Sequence, residues 1–137
     1  MALLEKHLLI KRSRIPGAGK GLFTKQFIAK GTRIVEYKGK ITTWKNVLQG
    51  KNFNAYVYYI NRNYVIDAMR RKTAFARYAN DANGLSKNHT FRNNAKYVID
   101  GKRVFIEAKK DIEAGEEILV SYGNEYWNVV AEQRNLC

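Results

Sequence analysis

A tyrosine at the end of an apolar stretch is the residue best placed to do chemistry. The stretch runs from Gly115 to Gly123, and a polar turn leads through Ile118 and Val120 to Tyr122. Alternation in an extended chain puts Ile118, Val120 and Tyr122 on one face. The glycine after the tyrosine lets other backbone come close. Tyr122 is therefore either the chemical centre of a pocket or a core tyrosine whose hydroxyl bonds to backbone.

Glycines at alternate positions form a second candidate site. Gly17, Gly19 and Gly21 make a loop that another group can approach closely. Their spacing differs from the Gly-x-Gly-x-x-Gly of dinucleotide-binding turns, and the Gly-Lys-Ser/Thr of a phosphate-binding loop does not follow. The loop is consistent both with a plain turn and with a ligand cradle.

The composition limits the class of protein. The chain has 137 residues, which suits a single domain over 1–137. Its one cysteine is Cys137, and His7 and His89 lie far apart, so neither a disulfide framework nor a metal site is expected. No apolar run is long enough for a signal peptide or a membrane span. We expect a cytoplasmic protein, or a nuclear one if the host has a nucleus.

The charge balance points to the chemistry of the partners. Lys and Arg number 25 against 12 Asp and Glu, which gives a net charge of +13. Such an excess predicts acidic partners or nucleic acid, although a basic surface also serves solubility.

Short strands must position the candidate residues. Runs rich in β-formers predict strands over 7–12, 34–37, 56–60, 64–67, 95–99 and 103–108. The turns Asn61-Arg62-Asn63 and Asp100-Gly101 join two pairs of these strands as hairpins. Helical turns are expected over 44–49, 72–76 and 125–135, and 78–94 is expected to be irregular. Many short strands without strand–helix alternation predict a mostly β domain.

Five segments, in this order, together resemble the SET domain family of protein lysine methyltransferases. They are Gly19-Lys20-Gly21-Leu22-Phe23, Glu36-Tyr37-x-Gly39, Tyr56 through Asp67, Ala76-Arg77-Tyr78-Ala79-Asn80 and Gly115-Glu116-Glu117-x-x-x-x-Tyr122. The resemblance covers about 13–127. It implies a SET-like fold of several small curved sheets with a pseudoknot, in which the Asn80 and Tyr122 segments pack together, and a short C-terminal helix.

The resemblance also implies S-adenosylmethionine as cofactor and a lysine as methyl acceptor. Catalytic roles are expected for Tyr122 and Tyr37. The residues expected to contact the cofactor are Lys20, Gly21, Leu22, Tyr56, Asn80, Asp81 and Trp127. The residues expected to line the substrate channel are Tyr37, Tyr97, Val120, Tyr122 and Tyr126. Without the resemblance, Tyr37, Tyr56 and Tyr97 fit a sheet core better than a channel, and Trp127 fits a contact that holds a terminal helix.

The chain departs from the family pattern at one motif. The family's Asn-His pair is Asn80-Asp81 here, and Ala82-Asn83 stands where Ser-Cys is usual. An aspartate adds negative charge near the cofactor. The zinc-binding cysteine clusters that flank many members are absent, so the resemblance implies a minimal, metal-free form. A catalytically inactive SET-like basic module that binds nucleic acid or protein is the alternative.

The expected partner is a protein that carries a target lysine. A strongly basic enzyme repels a basic peptide at long range, so we expect a substrate with acidic neighbours or one associated with nucleic acid. Direct contact with nucleic acid and a homodimer stay open at this point, and no membrane partner is expected.

Overall fold

A computed structural model describes residues 3–49, 57–69, 74–82 and 92–122. Within these residues the chain forms eight strands and one α-helix. The strands are β1 (Leu8–Arg12), β2 (Lys20–Thr24), β3 (Arg33–Glu36), β4 (Lys40–Thr42), β5 (Val57–Asn61), β6 (Tyr64–Asp67), β7 (Ala95–Asp100) and β8 (Arg103–Ala108), and α1 is Trp44–Gln49. The predicted mostly β class is confirmed.

The strands form three small antiparallel sheets. β1 pairs with β2, β8 lies between β3 and β7, and β6 lies between β4 and β5. Sheets of two or three strands need a partner surface to be stable. The buried core accordingly draws on all three sheets. Its largest fully buried side chains include Phe23, Leu22, Ile28, Ile34, Ile106, Ile112 and Ile118.

Two tight hairpins fix the register of the longer sheets. β7 turns into β8 at Gly101, whose φ is +64°, with Asp100 opposite Arg103. Glycine adopts this positive φ at little cost. β5 turns into β6 where the Asn61 side-chain oxygen accepts the Asn63 N–H at 2.9 Å. Both predicted hairpins are confirmed.

Several predicted boundaries were wrong by one to three residues. The first strand begins at Leu8 because His7 belongs to a turn of 3-10 helix, where its N–H donates to the Leu4 carbonyl at 2.8 Å. The helical turn predicted over 72–76 is a 3-10 turn at Phe75–Tyr78, and Ala74 before it is extended.

The closing segment, residues 115–122, differs from the regular strand that its sequence predicts. It forms single bridges to three separate parts of the chain. These bridges pair Phe23 with Glu117, Asn80 with Leu119 and Ala95 with Val120. Its partners belong to different elements, so no continuous ladder forms. Ile118 and Leu119 point to opposite faces and are both buried, so protein covers both sides of the segment that leads to Tyr122.

Candidate active site

Four tyrosine rings meet beside the core and form what we call the aromatic enclosure: Tyr37, Tyr58, Tyr97 and Tyr122. The Tyr97 ring is central, with its centroid 4.8 Å from that of Tyr58 and 6.0 Å from that of Tyr37. Tyr37 and Tyr58 are 5.8 Å apart. Tyr122 stacks on Tyr97 at 6.4 Å with an interplanar angle of 29°. These separations are those of attractive aromatic pairs. The structure thus brings together three of the predicted channel tyrosines, Tyr37, Tyr97 and Tyr122.

Sheet register holds most of these rings. Tyr97 lies in β7 opposite Ile106, and Tyr58 lies in β5. Tyr37 follows β3 by one residue rather than closing it, and its N–H donates to the Val104 carbonyl at 2.8 Å. Tyr37 is also buried. The rings therefore depend on paired backbone, which keeps their separations fixed.

Tyr58 is the member of the enclosure that the sequence interpretation missed. The signal was available, because alternation puts Tyr58 and Ile60 on one face and Tyr59 on the other. Tyr58 and Ile60 pack against the core, whereas Tyr59 is exposed. Burial raises the pKa of the Tyr58 phenol above its ordinary value, because a phenolate would be poorly solvated there.

The segment 79–82 holds Tyr122 at two points. The Tyr122 hydroxyl donates to the Ala79 carbonyl through a short hydrogen bond. The Tyr122 backbone N–H donates to Asp81 Oδ2 at 2.8 Å. The backbone and the phenol of Tyr122 are therefore both held by the same segment.

Polar side chains between the closing segment and its neighbours form a second group, the polar clamp: Ser13, Asn80, Asp81, Asn93, Asn94 and Glu117. At its centre, Glu117 is 5% exposed and accepts the Ser13 hydroxyl at 2.6 Å. The same carboxylate accepts the Arg14 N–H at 3.0 Å and the Asn80 amide at 3.4 Å. One buried carboxylate thus connects the loop after β1, the Asn80 segment and the closing segment.

Two consecutive asparagines complete the clamp. Asn94 Nδ2 donates to the Glu117 carbonyl and its Oδ1 accepts the Leu119 N–H, both at 2.9 Å. Asn93 Oδ1 accepts the Ala82 N–H at 2.8 Å. The sequence placed both residues in a polar loop of functional or mobile type. Their buried amides instead satisfy backbone groups of segments that no regular sheet pairs.

The glycine loop meets the polar clamp at the start of β2. The Lys20 carbonyl accepts the Asn80 amide at 3.0 Å, so two predicted cofactor residues lie in contact. A Cβ at Gly21 would lie 3.0 Å from Glu117 Cδ and 3.1 Å from Ser13 Cβ. The space beside Gly21 is therefore filled by the protein's own side chains. At Gly19, whose φ is +73°, an added Cβ would meet nothing within 4 Å among the residues that the structure describes.

Leu22 and Val120 are core residues. Both are fully buried, and the Leu22 carbonyl accepts the Ile118 N–H at 2.7 Å. Leu22 could reach a cofactor only through its backbone. Val120 donates its N–H to the Asn80 carbonyl at 2.9 Å and packs in the cluster against which Tyr97 and Tyr122 rest.

The remaining predicted site residues, Tyr56, Tyr126 and Trp127, lie outside the described residues, as does the predicted C-terminal helix. Across the described ranges, no three His, Cys, Asp or Glu side chains are grouped to hold a metal ion. None of the helices in the described part of the chain is long and apolar enough to cross a membrane.

The described residues fit a positively charged cofactor. The loop around Gly19 offers backbone that is open on one side. Asn80 carries an amide at the junction of this loop and the closing segment. The aromatic enclosure adds electron-rich ring faces, which attract a positive group.

Comparison with known proteins assigns these features to one family. The family model described as SET domain matches residues 19–123. N-lysine methyltransferase KMT5A-A of Danio rerio is 30% identical over 120 residues, which cover 80% of this chain and 34% of the relative. N-lysine methyltransferase KMT5A of Xenopus tropicalis is 32% identical over 128 residues, 84% of this chain and 36% of the relative. The chain spans about a third of the length of these curated relatives.

A solved structure supports the fold. The methyltransferase domain of human PR domain-containing protein 2 superposes with a TM-score of 0.65 over 88% of this chain and 80% of that domain, at 24% identity. The SET-like arrangement of small sheets that the sequence predicted is confirmed.

Proposed function

Because the chain belongs to the SET domain family, we propose that it transfers a methyl group from S-adenosylmethionine to the side-chain amine of a lysine in a protein. The relatives named above are called N-lysine methyltransferases, which supports the reaction class.

The aromatic enclosure is the observation that carries the proposal. Tyr97 has three ring neighbours with centroids between 4.8 and 6.4 Å away. The stem of a lysine is apolar and packs well on such rings, and their faces attract its nitrogen when it is charged. Four tyrosines that are connected through Ala79 and Asn80 to an open glycine loop are therefore suited to receive a lysine and a cationic donor together.

The enclosure also prepares the amine for attack. A free lysine, with a pKa of about 10.4, is mostly protonated at neutral pH and has no lone pair to donate. Removal from water favours the neutral amine. The same desolvation raises the pKa of the Tyr58 phenol, so this wall remains neutral. The proton of the amine leaves to solvent before attack.

Tyr122 orients the neutral amine. Its hydroxyl is already fixed against the Ala79 carbonyl, and its ring is fixed against Tyr97. A hydroxyl whose proton is donated to Ala79 accepts an N–H of the amine and so orients the nitrogen lone pair. Alignment of the reacting atoms at about 3 Å supplies most of the rate gain in such transfers. Tyr37 contributes as a buried wall that excludes water.

We assign the cofactor contacts to the backbone of Lys20, Gly21, Leu22 and Asp81 and to Asn80, with Tyr56 and Trp127 as further contacts. When bound, S-adenosylmethionine supplies a methyl group on a positively charged sulfur. Asn80 supports this assignment because it bonds to the Lys20 carbonyl on one side and to the Val120 N–H on the other. It therefore couples the glycine loop to the chain that leads into Tyr122.

The charge distribution supports a substrate lysine with acidic or nucleic-acid neighbours. Residues 1–80 contain 17 Lys and Arg and 3 Asp and Glu, whereas residues 81–137 contain 8 and 9. Arg12 lies directly opposite Lys20 on β1 and β2, and both are exposed. Like charges in this arrangement repel, and the ion pairs found among the described residues involve neither of them. An anionic partner would relieve this repulsion.

A binding module without methyl transfer is the second candidate, favoured by the same Arg12–Lys20 pair. It predicts binding to nucleic acid that weakens steeply with salt, together with no transfer to any lysine.

Calorimetric titration of the purified protein with S-adenosylmethionine is the first test, with Asn80→Ala as the paired variant. Arrays of lysine peptides with labelled cofactor then test transfer, with Tyr122→Phe as the control with impaired transfer. We expect binding that Asn80→Ala weakens, and methylation of peptides with acidic residues near the lysine. Absence of both binding and transfer would contradict the methyltransferase, and preference for lysines flanked by Lys or Arg would contradict the substrate class.

A further inference from the structure

A buried carboxylate stands where the SET pattern has a histidine. Asp81 is 6% exposed, and its two oxygens accept from different partners. Oδ2 accepts the Tyr122 N–H at 2.8 Å, and Oδ1 accepts Asn93 Nδ2 at 3.0 Å. Asn93 in turn accepts the Ala82 N–H at 2.8 Å. Three hydrogen bonds thus connect Ala82 to Tyr122 through two side chains.

This connection takes the place of the next backbone hydrogen bond of a parallel strand pair. Asn80 and Leu119 form a parallel bridge, in which the Val120 N–H donates to the Asn80 carbonyl at 2.9 Å. Regular continuation would offer the Tyr122 N–H to the next outward carbonyl, that of Ala82. The Asp81 carboxylate takes this N–H instead. A side chain therefore sets the path of the closing segment at the residue where the pairing ends.

We propose that Asp81 is the positioning residue for Tyr122, fixing its backbone so that the phenol hydroxyl reaches the Ala79 carbonyl and the ring stacks on Tyr97. Hydrogen bonds to a carboxylate are stronger than those between neutral groups, which suits a contact that holds the closing segment at Tyr122. The effect on turnover rests on the proposed function, whereas the effect on the Tyr122 ring does not.

The Asp81–Asn93 pair permits an exchange experiment. In Asp81→Asn, one amide cannot accept from both Tyr122 and Asn93, and a donor faces a donor. In Asn93→Asp, two carboxyl groups face each other, but Oδ2 still accepts from Tyr122. The double exchange, D81N with N93D, restores every bond, since the amide at 81 donates to the carboxylate at 93. The negative charge moves from position 81 to position 93 while the geometry is kept.

The first readout is the ring carbon signal of Tyr122 in ligand-free protein with ¹³C-labelled tyrosine, assigned by its loss in Tyr122→Phe. We expect Asp81→Asn to shift and broaden this signal, Asn93→Asp to leave it near its original position, and the double exchange to restore it. An unmoved signal in Asp81→Asn, or no recovery in the double exchange, would overturn the proposal. If Asp81→Asn does not fold, recovery of both fold and signal in the double exchange supports it, and failure of the exchange overturns it.

The second readout is kinetic and uses a lysine peptide that the array test finds methylated. We expect Asp81→Asn to lower kcat roughly tenfold or more with little change in KM for the peptide, because misplacement of an aligning group by about 1 Å costs up to a hundredfold. The same change made in Tyr122→Phe should cost less than twofold, since the hydroxyl it positions is gone. Equal losses in both backgrounds would assign Asp81 to general stability and overturn the proposal. If no peptide is methylated, the proposed methyltransferase function fails. The ring signal alone then decides whether Asp81 positions Tyr122.

Discussion

The aromatic enclosure and the polar clamp lie side by side and are built by different forces. The enclosure consists of ring contacts at 4.8–6.4 Å, each worth about 0.5–1.5 kcal/mol beyond burial. The clamp consists of buried hydrogen bonds, where one missing partner costs about 1–3 kcal/mol because a polar group is left unsatisfied. The enclosure can therefore tolerate change that the clamp cannot. The side chains expected to receive the lysine therefore differ from those that hold the fold together. Tyr122 contacts both groups.

The largest expected effect is loss of the centre of the clamp. Glu117→Ala removes the acceptor of the Ser13 hydroxyl, the Arg14 N–H and the Asn80 amide. We expect the free energy of unfolding to fall by about 3 kcal/mol or more, in the range for breaking a buried charged group's contacts. Urea unfolding followed by circular dichroism measures this change.

Glu116→Gln is the matched control for Glu117. Glu116 is the preceding residue and accepts only at an exposed turn, from the Glu113 N–H at 3.2 Å, within the part of the chain described. Its substitution should alter unfolding by less than about 0.5 kcal/mol. Similar losses in both variants would erase the distinction between the clamp and the surrounding turn.

The next effect is expected in turnover rather than in stability. Tyr122→Phe keeps the ring contact with Tyr97 and removes the hydroxyl bonded to Ala79. We expect kcat to fall by about a hundredfold, as for loss of alignment at a reacting group, with at most about 1 kcal/mol lost in unfolding. Kinetics on a methylated lysine peptide and urea unfolding of the same preparation provide the two values.

A Tyr122→Phe variant that loses stability rather than turnover would contradict the distinction between the enclosure and the clamp. A Tyr122→Phe protein with unchanged turnover and a loss of 3 kcal/mol or so would move Tyr122 from the enclosure to the clamp. Asn94→Ala offers the contrast, because its amide bonds only backbone of the closing segment within the described residues. It should lose stability first and turnover only as the fold is lost.

A smaller effect is expected at Tyr58. Burial raises the pKa of its phenol, so Tyr58 should ionise at higher pH than an ordinary tyrosine. The neutral form is the one that the folded state favours, so this group contributes stability that is lost as the pH rises above its unfolded pKa of about 10. Absorbance at alkaline pH should show the step, and Tyr58→Phe should remove it. If Tyr58→Phe instead removes absorbance at the pH where ordinary tyrosines ionise, Tyr58 would be in water.

The sequence predicted the enclosure better than the clamp, and the reason is physical. Hairpins with regular alternation carry their own register, so the β7–β8 turn and the strand that holds Tyr97 followed from local pattern alone. Asn93 and Asn94 looked like loop residues because an amide that satisfies buried backbone has the same composition as one in water. Their roles depend on contacts with residues more than ten positions away, which no local pattern contains.

The smallest effect is expected at a surface pair, which sets the scale for the other two regions. Arg103 donates to both oxygens of Glu36, at 2.8 and 3.2 Å, and this hydrogen bonding lowers the pKa of Glu36 below its ordinary value of 4.5. A lowered folded pKa contributes stability above the unfolded value, and that contribution is lost as the pH falls through the folded one. Arg103→Gln should therefore destabilise slightly at pH 7, and the difference from the parent should vanish in the acid range below about pH 4. Urea unfolding at several pH values, with added salt as a second variable, measures the difference.

A difference in stability that persists in acid would mean that Arg103 acts through its stacking on Phe105, at 4.9 Å, rather than through its charge. Either result gives the loss of stability at an exposed carboxylate. The larger loss expected at Glu117 can then be attributed to burial rather than to carboxylates in general.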